Sequence, residues 1–218
     1  MNIISIKNVA LALTLSATVI GAKAQKVYTE GTLNYSITVA GTTVEAPTLF
    51  KGDTSAIMTQ RGPANIKMVG TKGGDYFAVL VDVPVANKKI AGTATPAELE
   101  DAQANDPQYA FTKTEETQKI GDYNCKKVIA KDTRDGKTYD VWITTDITVP
   151  ANILTKFYSS LGGTPIQFTY LQGGSVKGAQ LVTLKSVSET KVPANSFKAT
   201  ADYDKMSLTD MQNMGKRQ

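Results

Sequence analysis

Between Val27 and Val39 the apolar side chains fall at alternate positions. Val27, Leu33, Tyr35, Ile37 and Val39 are odd-numbered, whereas Tyr28, Glu30, Thr32, Asn34, Ser36 and Thr38 are even. An extended strand gathers such a set on one side, because successive side chains point to opposite faces. Alternation over this length predicts a long antiparallel strand with one wet face and one face that must be covered. The pattern then repeats. Thr42–Phe50, Ser55–Arg61 and Ala64–Val69 read as strands, separated by turn residues such as Gly62-Pro63. After the Lys72–Asp75 turn, Tyr76–Val83 is apolar on both faces, which predicts a central strand buried on each side.

The clearest hairpin lies within residues 110–147, which also hold the only Cys and the only Trp. Asp135-Gly136 is a strong turn signal, because Gly adopts positive φ without a Cβ clash. It predicts a strand over Tyr123–Lys131 and another over Lys137–Thr145. In the second, Tyr139, Val141 and Ile143 share one face, and Thr138, Asp140, Trp142 and Thr144 share the other. Trp142, on the polar face, either contacts a partner or membrane headgroups or packs beneath a helix. Phe111–Gln118, rich in Thr and Glu, reads as an exposed strand.

Helix signals are few. Thr95-Pro96 followed by Glu98 is a capping box with Pro at the first helical position, predicting a surface helix to about Ala104. Ile153, Leu154, Phe157, Tyr158 and Leu161 form an apolar stripe at helical spacing, predicting a second helix over Pro150–Leu161 that ends at Gly162-Gly163. Pro165–Leu171 reads as a strand with Ile166, Phe168 and Tyr170 on one face. Ala179–Val192 reads as a long strand whose alternation breaks near Ser186, as at a bulge. Phe197–Tyr203 reads as a short strand, and Ser207 caps a C-terminal helix with Asp210 three residues on.

This gives a mainly β (α+β) chain of nine to eleven strands with two or three short helices. Short turns favour antiparallel pairing. With few helices to cover the apolar faces, the sheet is expected to curl on itself, as a curled antiparallel sheet, a half-open barrel covered by helices, or a closed barrel.

The first residues carry the pattern of a cleaved signal peptide: Lys7, an apolar run over 9–21, and Ala22-Lys23-Ala24 as the cleavage site. Residues 25–218 are then a single β-rich domain, periplasmic or secreted. No Cys follows the cleavage site to take a lipid, and no stretch is long and apolar enough to span a membrane. Removing the peptide takes two Lys and no acid, so the net charge falls from +4 to +2. That balance gives no electrostatic footprint for nucleic acid. Cys125 stands alone, excludes an internal disulfide and reads as a buried small hydrophobe.

Catalytic chemistry is largely excluded. The chain has no His, which removes Ser-His-Asp and Cys-His catalysis and nearly all catalytic zinc sites. Gly173–Gly178 lacks the order of a phosphate loop and reads as a hairpin turn. Asp132–Gly136 places Arg134 at a ligand position of a calcium loop, which counts against calcium. Glu115 and Glu116 are neighbours on a strand, point to opposite faces and read as solvated charge. No cofactor or metal is expected.

The runs Ile120–Lys127 (IGDYNCKK) and Tyr139–Asp146 (YDVWITTD) resemble the signature of a secreted Bacteroidetes family of unknown function, and Phe197, Tyr203 and Met206 are similar to that family's ending. That family in turn resembles the periplasmic lipoprotein carriers LolA and LolB. The resemblance implies a curled antiparallel sheet and covering helices around an apolar cavity for acyl chains.

Two functions meet these constraints. One is a soluble periplasmic binding module for an apolar or lipid-like ligand. The other is a non-enzymatic structural or interaction protein of the cell envelope, with a filled core and an envelope protein as partner. For the first, the expected lining is Leu33, Tyr35, Ile37 and Val39 from the first strand, Tyr139, Val141 and Ile143 from the hairpin, and Ile166, Phe168 and Tyr170, with Phe157 and Leu161 presented by a helix across the opening.

Overall fold

The computed structural model describes residues 25–215. The signal-peptide reading falls on residues 1–24, outside the described residues. The described residues are mainly β: fourteen strands and two α-helices, with several short 3-10 turns.

In order, the strands are β1 (Lys26–Val27), β2 (Glu30–Val39), β3 (Thr42–Lys51), β4 (Thr54–Arg61), β5 (Ala64–Thr71), β6 (Phe77–Val83) and β7 (Lys88–Thr93). Helix α1 (Pro96–Ala104) is followed by β8 (Tyr109–Ile120), β9 (Tyr123–Asp132), β10 (Thr138–Thr144), β11 (Ile147–Thr148), β12 (Thr164–Leu171), β13 (Ala179–Ser188), β14 (Asp204–Ser207) and α2 (Leu208–Gly215). Twelve of these strands form one open sheet, ordered β14-β7-β6-β5-β4-β3-β2-β13-β12-β10-β9-β8, which does not close into a barrel. All pairs in it are antiparallel except β14 with β7, and the parallel pair β1–β11 stands apart.

The register carries the odd face of β2 across the sheet. Tyr35 lies opposite Ala46 on one side and Leu184 on the other, and Ile37 lies opposite Val182, which in turn faces Phe168. This face supplies the larger core, with Leu33, Tyr35, Phe50, Ile57, Val128, Val141, Ile166, Phe168 and Leu184 all buried. The opposite face of the β4–β7 end supplies a second cluster: Ala56, Val69, Ala78, Leu80 and Ala91, beneath Val192 and Phe197.

The sheet is covered chiefly by irregular chain, and here the structure departs from the sequence reading. The Pro150–Leu161 helix is absent; only Lys156–Tyr158 makes a 3-10 turn. Leu154, Tyr158 and Leu161 are nonetheless buried on the larger core. Asn152 and Thr155 explain the failure. Thr155 Oγ1 accepts from Asn152 N at 3.0 Å, and Asn152 Oδ1 accepts from Leu154 N at 2.9 Å. Side chains that capture nearby backbone N–H groups compete with the helical ladder. The segment is pinned to the sheet instead, with Asn152 Nδ2 donating to Tyr35 Oη at 3.1 Å and Ile153 N donating to Ser55 Oγ at 3.2 Å.

The Phe197–Tyr203 strand is also absent. Phe197 ends a 3-10 turn and is buried on the second cluster, and the strand begins only at Asp204. Tyr76–Val83 is not central: β6 is third from one end of the sheet. Ala78 and Leu80 are buried on one of its faces, while Phe77, Val79 and Val81 stay half-buried on the other. Other expectations hold. Gly136 sits at φ 76° in the β9–β10 turn, the β13 register shifts between Leu184 and Ser186, and the Thr95/Glu98 capping box is formed at α1. Ser207 Oγ accepts from Asp210 N at 3.1 Å at the start of α2.

Candidate functional site

The residues expected to line a cavity mostly fill a core. Leu33, Tyr35, Ile37, Val141, Ile143, Leu161, Ile166 and Phe168 belong to the larger buried cluster, with Tyr170 half-buried against it. Aromatic packing closes the middle of that face. Phe168 meets Tyr35 edge-on, with centroids 6.4 Å apart, and Tyr158 at 5.2 Å, while Tyr158 stacks on Tyr109 at 5.5 Å. Burial raises the Tyr35 phenol above its ordinary range. Tyr139 is half-buried, edge-on to Tyr109. Phe157 is half-buried with Lys156 Nζ over its ring at 4.5 Å. Val39 is 42% exposed near the end of the strand and points into no interior.

Two of the expected residues, 8% and 5% exposed, also border an open pocket. Ile143 and Leu161, with Cys125 and Val128, line a pocket of about 640 Å³ where β8, β9 and β10 meet Leu161-Gly162. Its volume falls within the roughly 300–1,000 Å³ of small-molecule sites. Its outer wall is the edge strand β8, which pairs only with β9. The β8 register breaks between Lys113 and Thr117, with Thr114, Glu115 and Glu116 on β8 spanning the interval that Lys127 alone fills on β9. Thr114 Oγ1 donates to the Lys127 carbonyl at 3.0 Å and steadies the bulge. Bulges re-aim side chains beside functional sites.

The register separates the lysines around this pocket. Lys113 lies opposite Val128, and Lys126 lies opposite Thr117 and, on its other side, Ile143. Lys113, Lys126 and Lys119 therefore share the Val128–Ile143 face. Lys127 belongs to the other face, opposite Trp142, and is matched there by Asp140 at 2.9 Å and Glu116 at 3.3 Å. At the rim, Asp146 Oδ2 accepts from Asn124 N at 2.8 Å and from its Nδ2 at 3.1 Å. Cys125 is only 2% exposed, and burial pushes its thiol up to about 11. It is therefore part of the wall, with burial holding its thiol toward the protonated form.

Sequence periodicity missed Val128 and the lysines as site residues. The one signal for them was the loss of alternation across TKTEET in the exposed strand.

The other polar motifs are structural. Arg134 Nη2 bonds the buried Asp132 at 2.7 Å and reaches the Gly174 carbonyl at 3.1 Å, and Nη1 reaches the Asn105 carbonyl at 2.5 Å. The guanidinium holds the Asp132 carboxyl below its ordinary value. A Cβ on Gly174 would lie 1.8 Å from the Asn105 carbonyl oxygen, so this turn needs glycine for close approach as well as for its φ of 69°. Among the described residues no group of three or more His, Cys, Asp or Glu is placed to hold a metal, and no helix is long and apolar enough to cross a membrane.

No family model and no curated protein matches the chain. Two solved structures of PNGF-II, in space groups C2 and P21, are similar to it, each with a TM-score of 0.50 and 16% identity over 85% of this chain. The chain spans about a third of PNGF-II, 32% and 33% in the two cases. At this identity the likeness is one of fold alone.

Proposed function

We propose that this protein is a binding module for an apolar or lipid-like ligand, acting in the periplasm or outside the cell once residues 1–24 are removed. The observation that carries the reading is the pocket of about 640 Å³ with Val128, Ile143 and Leu161 in its wall. The lipoprotein-carrier character comes from the resemblance of the central hairpin. In a carrier of this kind the ligand lies at the β8–β10 end, between the edge strand and the covering chain, and not under the middle of the sheet. The lack of His and the protonated state of Cys125 favour binding over catalysis.

A second reading is a structural or interaction protein of the envelope. It is favoured by the complete burial of Leu33, Tyr35, Val141, Ile166 and Phe168 at the centre of the sheet.

The two readings part on a neutral fluorescent probe. N-phenyl-1-naphthylamine should brighten with the protein and saturate, and Thr117→Trp should weaken that signal by filling the mouth of the pocket. Thr117 is exposed, so the fold should survive the change. Absence of saturable binding would remove the binding-module reading and leave the structural one.

A further inference from the structure

The pocket's apolar wall is only half of its chemistry. We infer, resting on the binding-module reading, that it takes a single-chain amphiphile with an anionic head, the chain against Val128, Ile143 and Leu161 and the head among Lys113, Lys119 and Lys126.

Charge is balanced at one lysine of this hairpin and unbalanced at its neighbours. Lys127, which also lines the pocket, is balanced by Asp140 and Glu116. On the pocket face, Lys113, Lys119 and Lys126 border the pocket with no ion pair among the described residues. Of the two acids at the rim, Asp146 is already engaged by Asn124, which leaves Glu115 in the bulge against three ammonium groups. Three like charges around one mouth repel one another, and an anion among them relieves that repulsion. Lysine stems can also lie along an apolar wall while their ammonium groups stay at the rim. An acyl chain with a carboxylate or a phosphate satisfies both halves, whereas an uncharged chain satisfies only the wall.

Displacement of bound N-phenyl-1-naphthylamine tests this, with decanoate, decyl phosphate and decanol as competitors. Decanoate and decyl phosphate should compete better than decanol at low salt, and the advantage should shrink as salt rises. Whichever of the two binds better identifies the head as carboxylate or phosphate. In the triple variant Lys113→Gln, Lys119→Gln, Lys126→Gln the anions should lose about tenfold in affinity, equivalent to about 1.4 kcal/mol, while decanol is unchanged. All three positions are exposed, so folding should be retained.

Equal competition by decanol, or an anion preference that survives in the triple variant, would overturn the inference while leaving the binding-module reading intact. Failure of the probe and of all three competitors to bind the unmodified protein would overturn both.

Discussion

Phe168→Ala separates a packed centre from a ligand cavity. Phe168 is fully buried and touches two aromatic rings, Tyr35 and Tyr158, in edge-on geometry. Buried Phe→Ala changes cost about 3–5 kcal/mol, because the neighbours collapse only partly into the space left. Here the neighbours are held. Tyr35 is tied to Asn152, and the Tyr158 hydroxyl donates to the Thr169 carbonyl. The loss should therefore sit in the upper half of that range. Phe168→Leu keeps most of the burial but loses both ring contacts, each worth about 0.5–1.5 kcal/mol, so it should cost about 1–3 kcal/mol. Urea unfolding followed by the fluorescence of Trp142, the only tryptophan, reads both. A loss below about 1.5 kcal/mol for Phe168→Ala with an unchanged m-value would refute the packed centre, because a side chain facing a void forfeits little on truncation.

Three further outcomes are expected. Asn152→Ala should cost about 2–4 kcal/mol in the same assay, because it strands the Tyr35 hydroxyl and the Leu154 N–H in a buried site; a loss under about 0.5 kcal/mol would mean that the covering segment is not pinned there. Glu98 accepts from the Thr209 hydroxyl and N–H and from Thr95 N, which pulls its carboxyl from 4.5 down to about 2. Its contribution is present above pH 4.5 and is lost as pH falls toward 2, so the α1–α2 contact should loosen over that window; hydrogen exchange at Thr209 should quicken there in the unmodified protein and be insensitive to pH there, after correction for intrinsic exchange, in Glu98→Gln. Cys125 should react with a thiol reagent at neutral pH only as fast as the protein opens, and labelling at the rate of a free thiol would contradict its burial.

Period-two alternation placed β2, β10, β12 and β13, including the break near Ser186, while turn signals, composition and a two-sided apolar run placed β3 to β6, β8 and β9. It missed β7, whose KKIAGT has charge and glycine where a pattern would stand, and β14, too short to show one. The Pro150–Leu161 stripe marked the right buried residues in the wrong conformation. Spacing reports which side chains go inward, whereas the backbone was decided by two short polar side chains, Asn152 and Thr155. The candidate site was harder to see because its parts are not periodic. Ile143 and Leu161 were on the expected list, but the wall also needs Val128 and the rim needs lysines. Pairing of β8 with β9 and of β9 with β10 places them on one face, Lys113 opposite Val128 and Lys126 opposite Thr117 and Ile143. Of the remaining expected lining, Leu33, Tyr35, Ile37, Val141, Ile166 and Phe168 pack within the core, since an apolar stripe is equally satisfied by protein and by ligand.

An apolar ligand in the pocket at the β8–β10 end is what we propose for this protein. Native mass spectrometry of protein purified from its host without detergent tests it directly. The account predicts a second species heavier than the polypeptide by the mass of one single-chain lipid, depleted in Thr117→Trp. A spectrum of the bare polypeptide alone, from protein that also fails to take up N-phenyl-1-naphthylamine, would contradict it.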